Sequence, residues 1–286
     1  MCLLHQKEAR FLYFILMKIE LSVIIVNYNG FKYLKECLES LTQKLQGIAF
    51  EIVVIDNNSK DESCNFIKQN FPEVKLIESK INYGFGKGNN KAVEISHGDY
   101  LLLINNDTIV LEDLKPLLDF IKSDKTIGVV GIKMLDANKQ YLPAAGNFPN
   151  YRNMFQFRKL LDLGIEFKTG LFSKKHYEID WLCGSFLMLS KKVYQEINGF
   201  DEDYFMYVED VDFCKKISDK GYKRVFTPIY SYIHFVGFNT NKNPMLIKGY
   251  KVYIKKHFSG FQKSVISSIL QINSFVKKMK LTFKTN

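Results

Sequence analysis

Two hydrophobic periods alternate along the first hundred residues. Four stretches are apolar runs that end abruptly in polar residues: "LSVIIVNYNG", "FEIVVIDNNS", "VKLIES" and "YLLLINND". Between them lie stretches with helical spacing. In "YLKECLESLTQKL", Leu34, Cys37, Leu38, Leu41 and Leu45 recur every three or four positions. "DESCNFIKQNF" predicts a short helix entered through Ser59 or Asp61, and "GKGNNKAVEISHG" a helix closed by Gly98. Continuous apolar strands alternating with helices predict an α/β fold, with a mostly parallel sheet covered on both faces. Ligands of such sheets bind at the carboxyl ends of the strands. That rule gathers Asn27, Tyr28 and Asn29 after strand one with Asp56, Asn57 and Asn58 after strand two. It adds Asn82, Gly84 and Gly86 after strand three, and Asn105 and Asp107 after strand four. All are expected to face one crevice.

The pattern loosens after Ile132. Residues 141–180 are rich in aromatics and lysine, show no clean period, and read as a long, partly ordered excursion. Order returns with "WLCGSFLMLS" as a strand and "EDVDFCKKISDKGYK" as a helix ending near Gly221. "RVFTPIYSYIHFVG" reads as one or two short strands.

Charge divides the chain more sharply than hydropathy does. From Asn241 to Asn286 there are ten lysines and no Asp, Glu or Arg, so the net charge of +10 belongs to this tail. Three segments follow: an N-terminal extension (1–18), a main domain (19–238) and a basic tail (239–286). "FLYFILM" has seven apolar residues, too few to span a membrane and without a cleavage site behind it. Met17 is an alternative start, which would leave the first 16 residues outside the protein. The five cysteines are dispersed and form no CxxC, which argues against a disulfide framework and a zinc site and for a reducing compartment.

Three polar groups stand out chemically. Asp107 follows a buried strand without a spacer, in "LLLINNDT"; a turn is the plain alternative. Glu209, Asp210 and Asp212 crowd the start of a helix, where the dipole favours acidic residues at ~0.3–1 kcal/mol each. Glycines in "NYGFGKGNN" let backbone pass close to a ligand, although no GKS or GKT follows to make a phosphate loop.

"SVIIVNYNG", "VVIDNNSKDES", "NYGFGKGNN", "LLLINNDT", "WLCGSFLMLSK", "GFDEDYFMYVEDVDFCKK" and "YSYIHFVG" occur in the order and spacing of family 2 glycosyltransferases. The chain resembles the bacterial, rhamnosyltransferase-like branch over about Leu21 to Gly237. The resemblance implies a GT-A fold, a nucleoside-diphosphate sugar donor (UDP- or dTDP-sugar) and inversion at the anomeric carbon. It implies nucleotide contacts from Asn27, Tyr28, Asp56, Asn58, Asn82, Gly84, Asn89 and Asn105. Helix capping is the alternative for Asp56, and strand-end packing for Tyr28. It implies that Asp107 ligates Mg²⁺ or Mn²⁺ on the diphosphate, with Asn105 in place of the first carboxylate of a D-x-D motif. His234 is the further metal ligand, or else a hydrogen-bonded core residue. Asp210 becomes the general base, with Glu209 orienting it or binding the acceptor. Trp181 and Gly184 line the acceptor, core packing being the alternative for Trp181.

The implied product is cell-surface polysaccharide built on a saccharide or lipid-linked acceptor. That favours an anionic membrane over nucleic acid as the tail's partner, and a cytoplasmic, peripheral position on the inner face. "SVISSILQINSF" would insert Ile266, Ile269, Leu270, Ile272 and Phe275 as an amphipathic helix. Two other classes compete. A sugar nucleotidyltransferase would need a glycine-rich loop with a basic residue after strand one, and "NYNGFKYLK" lacks the glycines. A non-catalytic lipid- or nucleic-acid-binding protein would leave Asp107 and Glu209–Asp210 without a task.

Overall fold

The computed structural model describes residues 18–235 and 243–282. The "FLYFILM" run, the question of the start, and Val236 and Gly237 at the end of the last motif lie outside them.

The first half alternates as the apolar pattern predicts: β1 (Leu21–Asn27), α1 (Phe31–Lys44), β2 (Phe50–Asp56), α2 (Ser63–Asn70), β3 (Lys75–Glu78), α3 (Phe85–Glu94) and β4 (Tyr100–Asn105). Then come β5 (Thr108–Val110), α4 (Lys115–Ser123) and β6 (Ile127–Leu135). α2 begins later than Ser59 or Asp61; Asp61 instead accepts hydrogen bonds from the N–H groups of Ser63 and Phe31. α3 ends at Glu94, before Gly98, whose N–H donates to Ser22 Oγ at 2.8 Å.

Residues 141–180 are better ordered than their sequence predicts. They form β7 (Tyr141–Leu142), β8 (Ala145–Gly146), a 3-10 turn (Phe157–Leu161), α5 (Ile165–Thr169) and β9 (Tyr177–Glu178). Phe167 meets Phe172 and Tyr177 edge to face, and Phe226 packs at a tilt on Phe167 and Phe172, so cross-element aromatic contacts supply the order that periodicity lacks. The "WLCGSFLMLS" stretch splits at Gly184 into β10 (Trp181–Leu182), paired with β8, and β11 (Phe186–Ser190) in the main sheet. α6 (Lys191–Glu196), α7 (Glu209–Asp219) and β12 (Lys223–His234) follow. β12 is one long strand, with an irregularity between Thr227 and Ser231 where Pro228 lacks a backbone donor.

The main sheet runs β3-β2-β1-β4-β11-β6-β12-β5, with β7 beside β6 and β9 beside β12. β3, β2, β1 and β4 are mutually parallel, and β11 joins β4 antiparallel. Successive residues of β1 enter opposite cores: Leu21, Val23 and Ile25 meet α1 and α4, whereas Ile24 joins the side of α7.

The tail departs most from expectation. α8 (Asn243–His257) and α9 (Gly260–Thr282) pack on the α7 side of the sheet. Tyr250, Tyr253, Ile254, Ile266, Ile269 and Leu270 are buried in that core. Burying an aliphatic side chain contributes about 1.5–3 kcal/mol, more than the ~1 kcal/mol of a lysine near anionic lipid. Ile266, Ile269 and Leu270 therefore serve the protein core rather than a bilayer. Ile272 and Phe275 remain exposed.

Candidate active site

Strand register builds the first part of the site. Parallel pairing sets Asn27 opposite Asp56 and Val26 opposite Asn105. The strand-end side chains then bond one another. Asn27 Nδ2 donates to Asp56 Oδ2 at 2.7 Å and to Ser59 Oγ at 3.2 Å, while Asn27 Oδ1 accepts from Asn106 Nδ2 at 2.6 Å. Asp56 Oδ1 accepts the Ser59 N–H at 2.8 Å. Asn57 Nδ2 donates to the Gly84 carbonyl, tying this group to the loop after β3, where Asn82 Oδ1 accepts the Gly84 N–H. Asn58 stands at φ 66° and accepts from Lys60 Nζ. Tyr28 is 52% exposed at the rim, open to stacking.

Asn89 does not fit a nucleotide contact. It is 1% exposed and donates its amide to the Phe85 carbonyl within α3, so helix packing claims it.

A cavity of about 290 Å³ adjoins these strand ends. It brings Asn105, Asp107 and His234 together with Trp181, Gly184, Glu209 and Asp210, although they are far apart in sequence. Antiparallel pairing of β12 with β5 sets His234 opposite Thr108, next to Asp107. His234 Nε2 lies 3.2 Å from Asp107 Oδ1 and 3.2 Å from Asn105 Nδ2. The Asp107 carboxylate suits Mn²⁺ or Mg²⁺ whose other ligands are phosphate oxygens and water, and the imidazole beside it suits Mn²⁺ better than the oxygen-seeking Mg²⁺. Among the described residues no group of three or more His, Cys, Asp or Glu could hold a metal, so a bound cation would need those outside ligands.

Two carboxylates line the same cavity. Half-buried Asp210 accepts the Gly184 N–H at 3.1 Å on Oδ2 and the Val211 N–H at 2.9 Å on Oδ1. Glu209 is 6% exposed, and its Oε2 has no hydrogen-bond partner. Burial raises the pKa of both above the usual carboxylate range, and for Glu209 the neighbouring Asp210 charge adds to it. Two adjacent buried carboxylates resist joint ionisation and titrate as a pair. The two N–H donors favour the anion on Asp210, so the shared proton belongs on Glu209. Asp210 is then a carboxylate open to the cavity, able to take a proton. Trp181 is buried, its Nε1 donating to the Asn147 carbonyl, and its ring forms cavity wall.

The structure thus joins the residues expected for metal, base and acceptor in one cavity, and the remaining expected nucleotide residues at adjoining strand ends. Sequence reasoning missed Ser59 and Asn106, although both sit inside quoted motifs. It also missed Leu246 and Tyr250, cavity-lining residues of α8 that no motif marks.

A family model described as "Glycosyl transferase family 2" matches residues 22–197, and one described as "N-terminal domain of galactosyltransferase" matches residues 169–239. The chain is 28% identical over 249 residues to Rhamnosyltransferase WbbL of Escherichia coli (strain K12), covering 82% of this chain and 90% of the relative. It is 24% identical over 242 residues to N-acetylglucosaminyl-diphospho-decaprenol L-rhamnosyltransferase of Mycobacterium tuberculosis, covering 78% of each. Among solved structures, mannosyltransferase PcManGT from Pyrobaculum calidifontis, in complex with GDP-Man and Mn²⁺, superposes with a TM-score of 0.58. It is 16% identical, covers 91% of this chain and 70% of that one, and bears on the fold, which is of the GT-A type.

Proposed function

The chain belongs to glycosyl transferase family 2, and from that premise we propose the reaction and the roles of its residues. It is a glycosyltransferase. The proposed reaction moves a sugar, with inversion, from a nucleoside-diphosphate sugar to a hydroxyl of a saccharide or lipid-linked acceptor, in assembly of cell-surface polysaccharide. Relatives named as rhamnosyltransferases, one of them acting on a diphospho-decaprenol sugar, support a deoxyhexose donor and a lipid-linked acceptor.

The observation that carries this reading is the cavity that Asp210 shares with Asp107 and His234. Asp210 takes the proton of the acceptor hydroxyl as its oxygen bonds to the anomeric carbon, while the bond from that carbon to the diphosphate breaks. Protonated Glu209 avoids repulsion with the Asp210 carboxylate. Asp56, Asn27 and Tyr28 hold the base and ribose. Asp107 and His234 would hold Mn²⁺ or Mg²⁺, which would neutralise charge on the departing diphosphate. The test is a screen of UDP-, dTDP- and GDP-sugars, with and without Mn²⁺, for thermal stabilisation and nucleotide release. Stabilisation and turnover by one donor are expected; no response to any donor would overturn the reading.

A reduced form of membrane contact is also proposed, at the inner face of the cell membrane. No helix of the described residues is long and apolar enough to cross a membrane. With one face of α8 and α9 buried in the core, contact falls to exposed Lys248, Lys251 and Lys255 with exposed Phe261, Ile272 and Phe275. Co-sedimentation with anionic but not neutral vesicles is expected, weakening as salt rises. Equal recovery in the supernatant with both would overturn it.

A further inference from the structure

Glu209 and Asp210 enter α7 from a turn in which Tyr207 and Val208 both have positive φ, 70° and 76°. Neither is glycine, and Val208 is β-branched, the type least suited to that region. Local preference opposes this turn, so packing from elsewhere must hold it. Two remote glycines flank it. On one side, a Cβ at Gly84 would lie 2.1 Å from the Phe205 carbonyl oxygen, and the Phe85 N–H donates to that same oxygen at 3.0 Å. On the other, a Cβ at Gly249 of α8 would lie 2.5 Å from the Tyr207 carbonyl oxygen and 2.8 Å from Val208 Cγ2. Beyond Gly249, α8 is fastened to both ends of the same segment. Lys256 Nζ reaches Asp201 at 2.6 Å and Asp203 at 2.7 Å, and His257 Nε2 reaches Asp212 at 2.7 Å.

We propose that α8 is a positioning element of the active site, and that Gly249, by seating the helix against Tyr207–Val208, fixes where Asp210 stands. The proposal rests on the reading of Asp210 as base. Gly249 touches no reacting atom and acts only through the turn. The C-terminal helices are then part of the catalytic apparatus rather than an appendage to it.

Gly249→Ala tests this, because its methyl must displace either the Tyr207 carbonyl or the helix. A misplacement of about 1 Å can cost on the order of 10²-fold in rate, so kcat should fall by roughly 10- to 100-fold while the donor KM changes less than about twofold. Adding Val208→Gly removes the side-chain part of the clash, and the double variant should lose less than the product of the two single losses. Leu118→Ala, in the core on the opposite face of the sheet, is the control for lost stability and should keep its kcat. Amide hydrogen exchange at Glu209–Asp212 should quicken in Gly249→Ala and not in Leu118→Ala. Wild-type kcat and exchange in Gly249→Ala, or a kcat loss matched by Leu118→Ala at equal Tm, would overturn the proposal. A wild type that turns over none of the nucleotide sugars would instead sink the catalytic reading, and the exchange comparison would still judge the grip of Gly249 on the turn.

Discussion

The two halves of the active site are held by opposite means. At the ends of β1, β2 and β4 most side chains satisfy one another: Asn27 alone bonds Asp56, Ser59 and Asn106, although Asn57 Oδ1 is buried without a partner. Nothing there is strained beyond a left-handed Asn29 and Asn58, residues that tolerate it. At the start of α7, two residues sit at unfavourable φ, a cost on the order of 1–3 kcal/mol each, and Glu209 Oε2 is buried without a partner. The donor side is a relaxed scaffold set by strand register. The catalytic side stores strain and a raised carboxylate pair, and depends on distant packing to keep them. Strain and perturbed titration fall where chemistry is proposed, which is where a stable fold has reason to tolerate them.

Substitutions sharpen the contrast, the largest effect on rate being expected at Asp210. Asp210→Asn should lower kcat by ~10²–10⁴-fold while UDP or dTDP binding, followed by calorimetry, stays within a few-fold. Near-normal turnover would remove Asp210 from the mechanism. Asp107→Ala should cost on the order of 10²-fold in kcat/KM and make nucleotide affinity insensitive to added Mn²⁺. Full wild-type activity in excess EDTA would return Asp107 to an ordinary turn.

Glu209→Gln should act less on rate, by about tenfold or less, and more on pH dependence. Burial raises the folded-state pKa of Glu209, so the native chain keeps a proton that the unfolded chain releases. Stability from this group is present below the unfolded carboxylate value of 4.5 and is lost as pH rises through the raised folded value. Tm should therefore decline from pH 5 to pH 8 in the wild type and decline less in Glu209→Gln. Parallel curves for the two would place the proton elsewhere. Because Asp210 must be ionised to act and burial raises its pKa, activity should also fall on the acid side at a higher pH than an unburied aspartate would give. The smallest effect on kcat is expected from Asn27→Ala on the donor side. It strands Asp56 and Asn106, at roughly 1–3 kcal/mol of stability, and should raise the donor KM more than it lowers kcat. A kcat loss rivalling that of Asp210→Asn would erase the distinction between the halves.

The alternation of apolar strands and helical spacing determined the parallel half of the fold. There each strand reports its own burial and the side-chain period is local. The same logic placed Asn27, Asp56, Asn105 and Asp107 at one edge, because parallel strands end together. Residues 141–180 were opaque, since their order comes from aromatic contacts such as Phe167 with Phe226 between segments far apart in sequence. The tail misled for a related reason. An amphipathic face is written identically whether it meets lipid or a protein core, and only packing chose the core for Ile266, Ile269 and Leu270. Glu209 and Asp210 could be read as a motif, but not their unequal roles. Those depend on Gly184 N–H reaching Asp210 across a fold and on the turn at Tyr207–Val208, which the sequence disfavours. Position along the chain carries local preference; tertiary structure decides which unfavourable conformations are held, and by what.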